Sequence, residues 1–312
     1  LYPNKKTFIS IILTPTSLNN HKSGFVNILG NPNVGKSTLM NALVGERLSI
    51  ITNKAQTTRH RIKGIVSGEH YQIVFSDTPG LLKPKYKLQE RMMDFVKTAL
   101  QDADVFLVVS DITENFEKAY SLLPESIIKG DAPVILIINK IDLTNQKTLE
   151  ERVDQWHTAI PRAEILPISA LHKLNTEYIL KRIIELLPNS PPYFDKDQLT
   201  DKPERFFVSE IIREKILFLY NEEIPYSVEV EVESFKEADT IIRINAVIFV
   251  ERESQKPILI GKEGKSIKKL GIEARKELEK FFQKKIHLEL FVKVNADWRN
   301  NDQNLKRFGY LD

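Results

Sequence analysis

The chain has 312 residues, enough for two domains with separate cores, and its 42% hydrophobic and 28% charged residues are the mix of a folded protein rather than a disordered one. It contains no cysteine, which excludes disulfides and thiolate metal sites and fits a reducing cytosol. The formal charge is only +3, which says nothing about partners until its distribution along the chain is known.

At the N-terminus, "FISIIL" (8–13) follows Lys5-Lys6 but is shorter than the apolar core of about 7–15 residues that a signal peptide needs, and no small-residue cleavage site follows. No apolar run reaches the roughly 18 residues of a membrane helix. Residues 1–20 are an extension of unknown status with no assigned role in the fold.

From 24 to about 188, apolar runs of strand length alternate with amphipathic stretches. The runs are "GFVNILG" (24–30), "YQIVFSD" (71–77), "VFLVVSD" (105–111), "PVILIINK" (133–140) and "EILPIS" (164–169). Helices are expected over 89–101 and 176–187. This pattern predicts an α/β domain with a mixed, mostly parallel sheet covered on both faces.

"GNPNVGKST" (30–38) follows the first strand and opens a helix, the context a phosphate-binding P-loop requires. The stretch comprises Gly30, Asn31, Pro32, Asn33, Val34, Gly35, Lys36, Ser37 and Thr38. Backbone N–H groups would wrap the β-phosphate at the helix N-terminus, Lys36 would charge-pair with the β- and γ-phosphates, and the Ser37 hydroxyl would bind Mg²⁺. "KAQTTRHRIKG" (54–64) is polar and supplies Thr57 and Thr58. One of these threonines would complete the Mg²⁺ shell when GTP is bound, and Thr58 is favoured. In "DTPG", Asp77 would hold Mg²⁺ through water and the Gly80 N–H would sense the γ-phosphate, with Thr78 and Pro79 between them.

"NKID" (139–142) closes an apolar strand. The Asp142 carboxylate can accept from guanine N1–H and N2 amino groups, donors that adenine lacks, so the expected ligand is GTP or GDP. Asn139 and the Lys140 stem would hold the loop and cover the base, joined by Ser169 and Ala170 after the next strand.

Residues 187–204 carry four prolines and little periodicity, and read as a linker. Beyond it come a helix (205–220), two alternating strands (226–235 and 240–252), a Gly-rich loop, a helix to about 282 and a strand (285–294). This unit is a small α+β domain. Ten basic residues against four acidic ones lie between Lys256 and Lys285, whereas Glu222 to Asp239 holds seven acids and one lysine. A positive face is therefore expected on the loop Gly261-Lys262-Glu263-Gly264 and on the helix after it, through Lys265, Lys268 and Lys269. Gly264-Lys265-Ser266 has a P-loop ending, but Gly261 is three residues before Gly264 where five are needed, so no second nucleotide site is expected. His60 and His70 lack metal-ligand spacing, and Trp156 and Trp298 are expected to be packing residues.

Together "GNPNVGKSTL", "KAQTTRHRI", "DTPG", "NKID", "SEIIREKI", "IPYSVEVE" and "GIEAR" resemble the Era family of bacterial GTPases, over about nine-tenths of the chain. The resemblance implies a Ras-like P-loop GTPase domain over 21–188, a linker at 189–204 and a type II KH domain over 205–312. It also implies GTP hydrolysis, and binding of the 3′ end of 16S rRNA during assembly of the 30S subunit. The G-x-x-G loop of a KH domain clamps about four nucleotides of a single strand, and the bases would lie in a groove lined by Ile258, Ile260 and Ile267. A monomeric cytoplasmic protein is implied, with peripheral association at the inner face of the cell membrane in some members.

In Ras-type switches a glutamine after Asp-x-x-Gly orients the attacking water; this chain has Leu81-Leu82. Related GTPases with that substitution use K⁺ held by the asparagine at the place of Asn33, so K⁺ is an expected activator here, against a simple loop-capping role for Asn33. The alternatives to a hydrolysing switch are a nucleotide-gated RNA chaperone and a membrane-associated regulatory GTPase with little intrinsic hydrolysis.

Overall fold

The computed structural model describes residues 21–311; the N-terminal extension and Asp312 lie outside the described residues. The first unit runs β1 (Lys22–Leu29), α1 (Lys36–Val44), β2 (Ile62–Ser67), β3 (Tyr71–Asp77), α2 (Lys87–Gln101), β4 (Val105–Asp111), α3 (Phe116–Ser121), α4 (Glu125–Lys129), β5 (Val134–Asn139), α5 (Gln146–Ala159), β6 (Glu164–Pro167) and α6 (Thr176–Leu186). Its six strands are ordered β2-β3-β1-β4-β5-β6, all parallel except the antiparallel β2–β3 pair. The central strands are apolar on both faces because each face has its own core. Ile28, Leu39, Ile137 and Ile179 belong to one, and Val108, Leu136, Ile138 and Trp156 to the other.

Strand β2 was not expected; "IKGIVS" continues the polar loop without a break, and only its antiparallel hairpin with β3 makes it a strand. As an edge strand it leaves backbone groups to satisfy, and the proline-rich segment at 187–204 supplies them. Ile65 N–H donates to the Leu199 carbonyl at 2.8 Å. The Gln72 side chain accepts from Tyr193 and Phe194 N–H at 2.7 and 2.9 Å and donates to the Phe194 carbonyl at 2.8 Å. The segment read as a linker is thus bound along the sheet edge.

The second unit runs α7 (Glu204–Leu219), α8 (Ile224–Ser227), β7 (Glu229–Glu237), β8 (Ile241–Val250), α9 (Gln255–Ile260), α10 (Lys265–Phe282), β9 (Lys285–Val294) and α11 (Asp302–Arg307). Its sheet is ordered β7-β8-β9, with β8 and β9 parallel. Val208, Ile212, Ile244, Ile248, Leu270 and Leu278 form its core.

The two units are docked. Leu88 and Met92 of α2 are buried with Trp298, Leu305 and Tyr310 from the C-terminal segment. Trp298 is a packing residue, as expected, and its Nε1 donates to the Ser227 carbonyl at 3.0 Å. His60 stacks on Tyr310 at 4.2 Å. Burial first, then the positive charges of Lys202, Arg213 and Arg59, hold its imidazole well below the ordinary value of 6.5, so it packs as a neutral ring. Arg59 is completely buried; it donates to the Val228 carbonyl at 2.8 Å and to Glu229 Oε2 at 3.1 Å, and Glu229 also accepts from the Tyr310 hydroxyl at 2.8 Å. The loop expected to sense nucleotide is therefore wedged into the second unit.

Candidate nucleotide and RNA sites

Three loops at the C-terminal ends of parallel strands meet over a cleft of about 280 Å³, the place where open α/β sheets bind ligands. The P-loop turns at Gly35, whose φ of +99° and whose ideal Cβ, 2.2 Å from Asn139 Nδ2, admit only glycine. Asn139 ties the loops together: its Nδ2 donates to the Val34 carbonyl at 2.8 Å, and its Oδ1 accepts from Ala170 N–H at 3.0 Å. Lys140 completes the bracing, donating to the Asn33 carbonyl at 2.9 Å and pairing with Asp111. Sequence reasoning had Asn139 and Lys140 hold the loop and cover the base, and here their side chains tie that loop to the P-loop.

Lys36 is buried and donates to the carbonyls of Gly30 and Asn31 at 3.1 and 2.8 Å. Burial pulls its pKa down to about 8, opposed by the charges of Asp77 and Glu114. A polyphosphate beside it would favour the charged form further.

Asp77 is fully buried, and burial raises its pKa, opposed first by the Ser37 hydrogen bond and the Lys36 charge. Ser37 Oγ donates to Asp77 Oδ2 at 2.6 Å and lies 3.0 Å from Thr58 Oγ1, which is 3.4 Å from the same carboxylate oxygen. Asp77 Oδ1 is buried without a partner. Three hard oxygen donors and an unsatisfied carboxylate oxygen suit Mg²⁺ held partly through water. Thr57 also lines the cleft, but its hydroxyl is engaged within its own loop: it donates to the Lys54 carbonyl at 2.6 Å and lies 2.7 Å from Thr52 Oγ1.

Thr78 anchors its loop to β1 through the Ile28 carbonyl at 2.8 Å, and Gly80 lies against Pro32 with Pro79 between them in the chain. Leu81 is buried in the core on the α2 side, and Leu82 packs against the interdomain cluster. Asn33 Nδ2 donates to the Asn53 carbonyl at 2.9 Å, bringing a backbone oxygen beside the P-loop.

At the far end Ser169 Oγ donates to Asp142 Oδ1 at 2.5 Å, and this bond leads the causes that lower the Asp142 pKa. An ionised carboxylate in this position can accept two N–H groups. Leu143 and Leu171, 63% and 73% exposed, flank this end of the cleft. Such exposed leucines suit the faces of a purine; a sequence-level signal was their position directly after "NKID" and "SA".

In the second unit Gly261 takes φ +75°, and a Cβ there would lie 2.1 Å from Ser266 Oγ. This turn aims Lys262, Glu263 and Gly264 outward ahead of α10. Lys262, Lys265, Lys268 and Lys269 are all exposed. Glu263 pairs with Lys265 at 2.8 Å, which offsets one positive charge on the loop. Beside the loop lies a groove of about 340 Å³ between α10 and β9, lined by Ile267, Gly271, Ile272, Arg275, Leu288 and Leu290, together with Lys268. This lining overlaps the expected one only in part. Only Ile267 of the three isoleucines lines it; Ile258 is half exposed on α9, and Ile260 ends that helix. The strand that closes the groove is distant in sequence, and only the alternation in "KIHLELFVKV" hinted at an apolar face.

Comparison with known proteins agrees with both units. A family model described as a 50S ribosome-binding GTPase matches residues 25–140, and a KH domain model matches residues 223–299. GTPase Era of Staphylococcus haemolyticus (strain JCSC1435) is 44% identical over 293 residues, covering 94% of this chain and 98% of that one. GTPase Era of Geotalea uraniireducens (strain Rf4) is 46% identical over 290 residues, covering 93% and 98%. Among solved structures, Era in complex with MgGDPNP and nucleotides 1506–1542 of 16S ribosomal RNA superposes with a TM-score of 0.89 at 41% identity, over 94% of this chain and all of that one. An Aquifex aeolicus Era variant bound to GDP·AlF₄⁻ gives 0.88 at 41% identity, over 93% of this chain and all of that one. With one P-loop domain, one KH domain and this likeness running almost end to end, the chain belongs to the Era family of GTPases.

Proposed function

We propose that the chain is a Mg²⁺-dependent GTP switch whose KH domain binds the 3′ region of 16S rRNA, and that it acts in assembly of the 30S subunit. The observation that carries this is the whole-chain similarity to Era in complex with MgGDPNP and 16S rRNA nucleotides. Local chemistry supports it: a P-loop and an Asp142 carboxylate share one cleft, and a G-x-x-G loop opens onto an apolar groove with a basic rim. The division at 21–188, 189–204 and 205–312 is supported by the two cores, with Phe207 of the second part packing into the first. The protein acts as a cytoplasmic monomer, and any contact with the inner face of the membrane is peripheral. Among the described residues no helix is long and apolar enough to cross a membrane.

In this mechanism Lys36 and the N–H groups of residues 33–37 would stabilise charge on the β- and γ-phosphates, and Ser37, Thr58 and Asp77 would hold Mg²⁺, directly or through water. Mg²⁺ itself supplies Lewis-acid charge stabilisation when bound. Neither Leu81 nor Leu82 can orient water, so the remaining positive charge is assigned to K⁺ at Asn33, beside the Asn53 carbonyl. Hydrolysis in K⁺ is expected to exceed that in Na⁺ by about tenfold or more, the size of a single electrostatic contribution. Equal rates in the two salts would remove K⁺ from the mechanism.

The RNA reading is tested with a fluorescent single strand carrying the 16S 3′-terminal sequence, titrated with GDP and then with a non-hydrolysable GTP analogue. Lys262→Asp/Lys265→Asp is expected to weaken binding by at least about a hundredfold, because two phosphate contacts become repulsions. Binding confined to the GTP-like state would establish gating, whereas no binding in either state would refute the RNA-binding reading.

A further inference from the structure

Thr58 does not reach its position by the P-loop domain alone. Arg213, on α7 of the second domain, is 1% exposed and donates through an Nη to the carbonyl of Thr57. That guanidinium is oriented by a fork of bonds to Glu210, at 2.8 and 2.7 Å. On the other side of Thr58, Arg59 is fixed by the carbonyls of Val228 and Pro225, at 2.8 and 3.1 Å, and by Glu229. Both flanks of the metal-side threonine are thus held by the second domain.

The Thr57 carbonyl and the Thr58 N–H belong to one planar peptide, so holding the oxygen sets the orientation of the unit that carries Thr58. Threonine is stiff at χ1, so the backbone in turn sets where the hydroxyl points. It points to Ser37 Oγ at 3.0 Å and Asp77 Oδ2 at 3.4 Å. We propose that Arg213 is a positioning residue for GTP hydrolysis: through the Thr57 carbonyl, the KH domain holds the Thr58 hydroxyl where it faces the metal. The inference rests on the assignment of Thr58 to Mg²⁺ and extends it by naming what keeps the residue there. Linkage makes the effect reciprocal: Mg²⁺·GTP, by favouring this position of Thr58, strengthens docking of the two domains, and GDP does so less.

The test uses the full chain as wild type, Thr58→Ala, Arg213→Met, Arg213→Lys and the Thr58→Ala/Arg213→Met double variant. Four quantities are read: kcat, KM for GTP, the Mg²⁺ concentration at half-maximal hydrolysis, and GDP affinity with Mg²⁺ chelated. Arg213→Met is expected to raise the half-maximal Mg²⁺ about fivefold and to lower kcat about tenfold, within the usual range of a coupling between sites. Mg²⁺-free GDP affinity should stay within about twofold, because it does not depend on Thr58 facing the metal, whereas KM for GTP should rise in step with the half-maximal Mg²⁺. Arg213→Lys, which returns one donor to the carbonyl but not the fork to Glu210, should recover part of the loss. The double variant should be no worse than Thr58→Ala by more than about twofold, since both remove the same interaction.

Wild-type Mg²⁺ dependence in an Arg213→Met protein that binds GDP normally would overturn the inference, as would losses that multiply fully in the double variant. Unchanged Mg²⁺ dependence in Thr58→Ala would instead sink the metal-side role of Thr58, and the inference with it. If Arg213→Met fails to bind GDP, Glu210→Gln carries the same test, because it loosens the fork without removing the guanidinium. A shift in half-maximal Mg²⁺ of about two- to threefold is then expected, and none would overturn the proposal.

Discussion

Asp142→Asn is expected to lower affinity for GTP and GDP by at least about a hundredfold while creating affinity for xanthine nucleotides. The carboxylate offers two acceptors, and Ser169 keeps it ionised by donating to one of its oxygens. Two charge-assisted hydrogen bonds to guanine contribute roughly 1.5–3 kcal/mol each, so weakening one to a neutral bond and turning the other into a clash costs about 3 kcal/mol or more. That is about a hundredfold in affinity. An asparagine amide presents one acceptor and one donor, which match the N1–H and C2 carbonyl of xanthine. Competition of GDP and XDP against a fluorescent nucleotide measures the exchange. Unchanged GDP affinity would show that the base is read elsewhere. Asn139 is a poor substitute for this test, because its side chain also holds the P-loop through the Val34 carbonyl, so its loss would not isolate base recognition.

Arg59→Ala carries the second large effect, and it falls on domain docking rather than on the folding of either domain. Arg59 is completely buried, and it leaves Glu229 buried when it is removed. Breaking a buried pair from one side costs about 3–5 kcal/mol. Here two things limit the loss. Burial already raises the Glu229 pKa against the charges of Arg59 and Arg213, so the carboxyl can take up a proton, and undocking returns both surfaces to water. The low end, about 3 kcal/mol, is therefore expected, or more than a hundredfold in the docked-to-undocked ratio. Because the chain has no cysteine, one cysteine placed on each domain gives a clean dye pair for single-molecule distance measurements. A docked fraction equal to wild type would show that the apolar cluster of Leu88, Met92, Trp298, Leu305 and Tyr310 holds the domains together alone. A second variant, Arg59→Met/Glu229→Gln, removes the unpaired charge and should recover much of the docking.

The second experiment, with the Arg213 test above, bears on one property of this molecule. The loop proposed to sense nucleotide belongs in sequence to the P-loop domain but in packing to the KH domain. Lys54 adds to this, donating to the Tyr220 carbonyl and to Asn221 Oδ1, the latter at 3.2 Å. Arg47, beyond α1, bridges to Glu214 and to Glu277, the latter at 2.5 Å. These contacts are partly exposed, so each contributes little by itself; the fully buried Arg59 and Arg213 carry the coupling.

The nucleotide chemistry was legible in the amino-acid sequence because each of its motifs is a short contiguous run whose backbone and side chains act together. Gly30 to Thr38, Asp77 to Gly80 and Asn139 to Asp142 each sit at the end of a strand that its own apolar residues announce, and parallel strand order brings those ends to one edge. The G-x-x-G loop was legible for the same reason. The sequence left Thr57 and Thr58 adjacent and chemically alike, and only the turn that ties the Thr57 hydroxyl to Thr52 and Lys54 separates them. Tertiary structure alone decided the rest. It paired the proline-rich 187–204 segment with the β2 edge, because unpaired strand N–H groups take the nearest carbonyls whatever their distance in sequence. It lined the groove beside the G-x-x-G loop with Leu288 and Leu290 rather than with Ile258 and Ile260. And it set Arg213 against the carbonyl of Thr57, a contact across 156 residues that no local pattern encodes, because a buried guanidinium accepts any set of oxygens the fold brings within its fork.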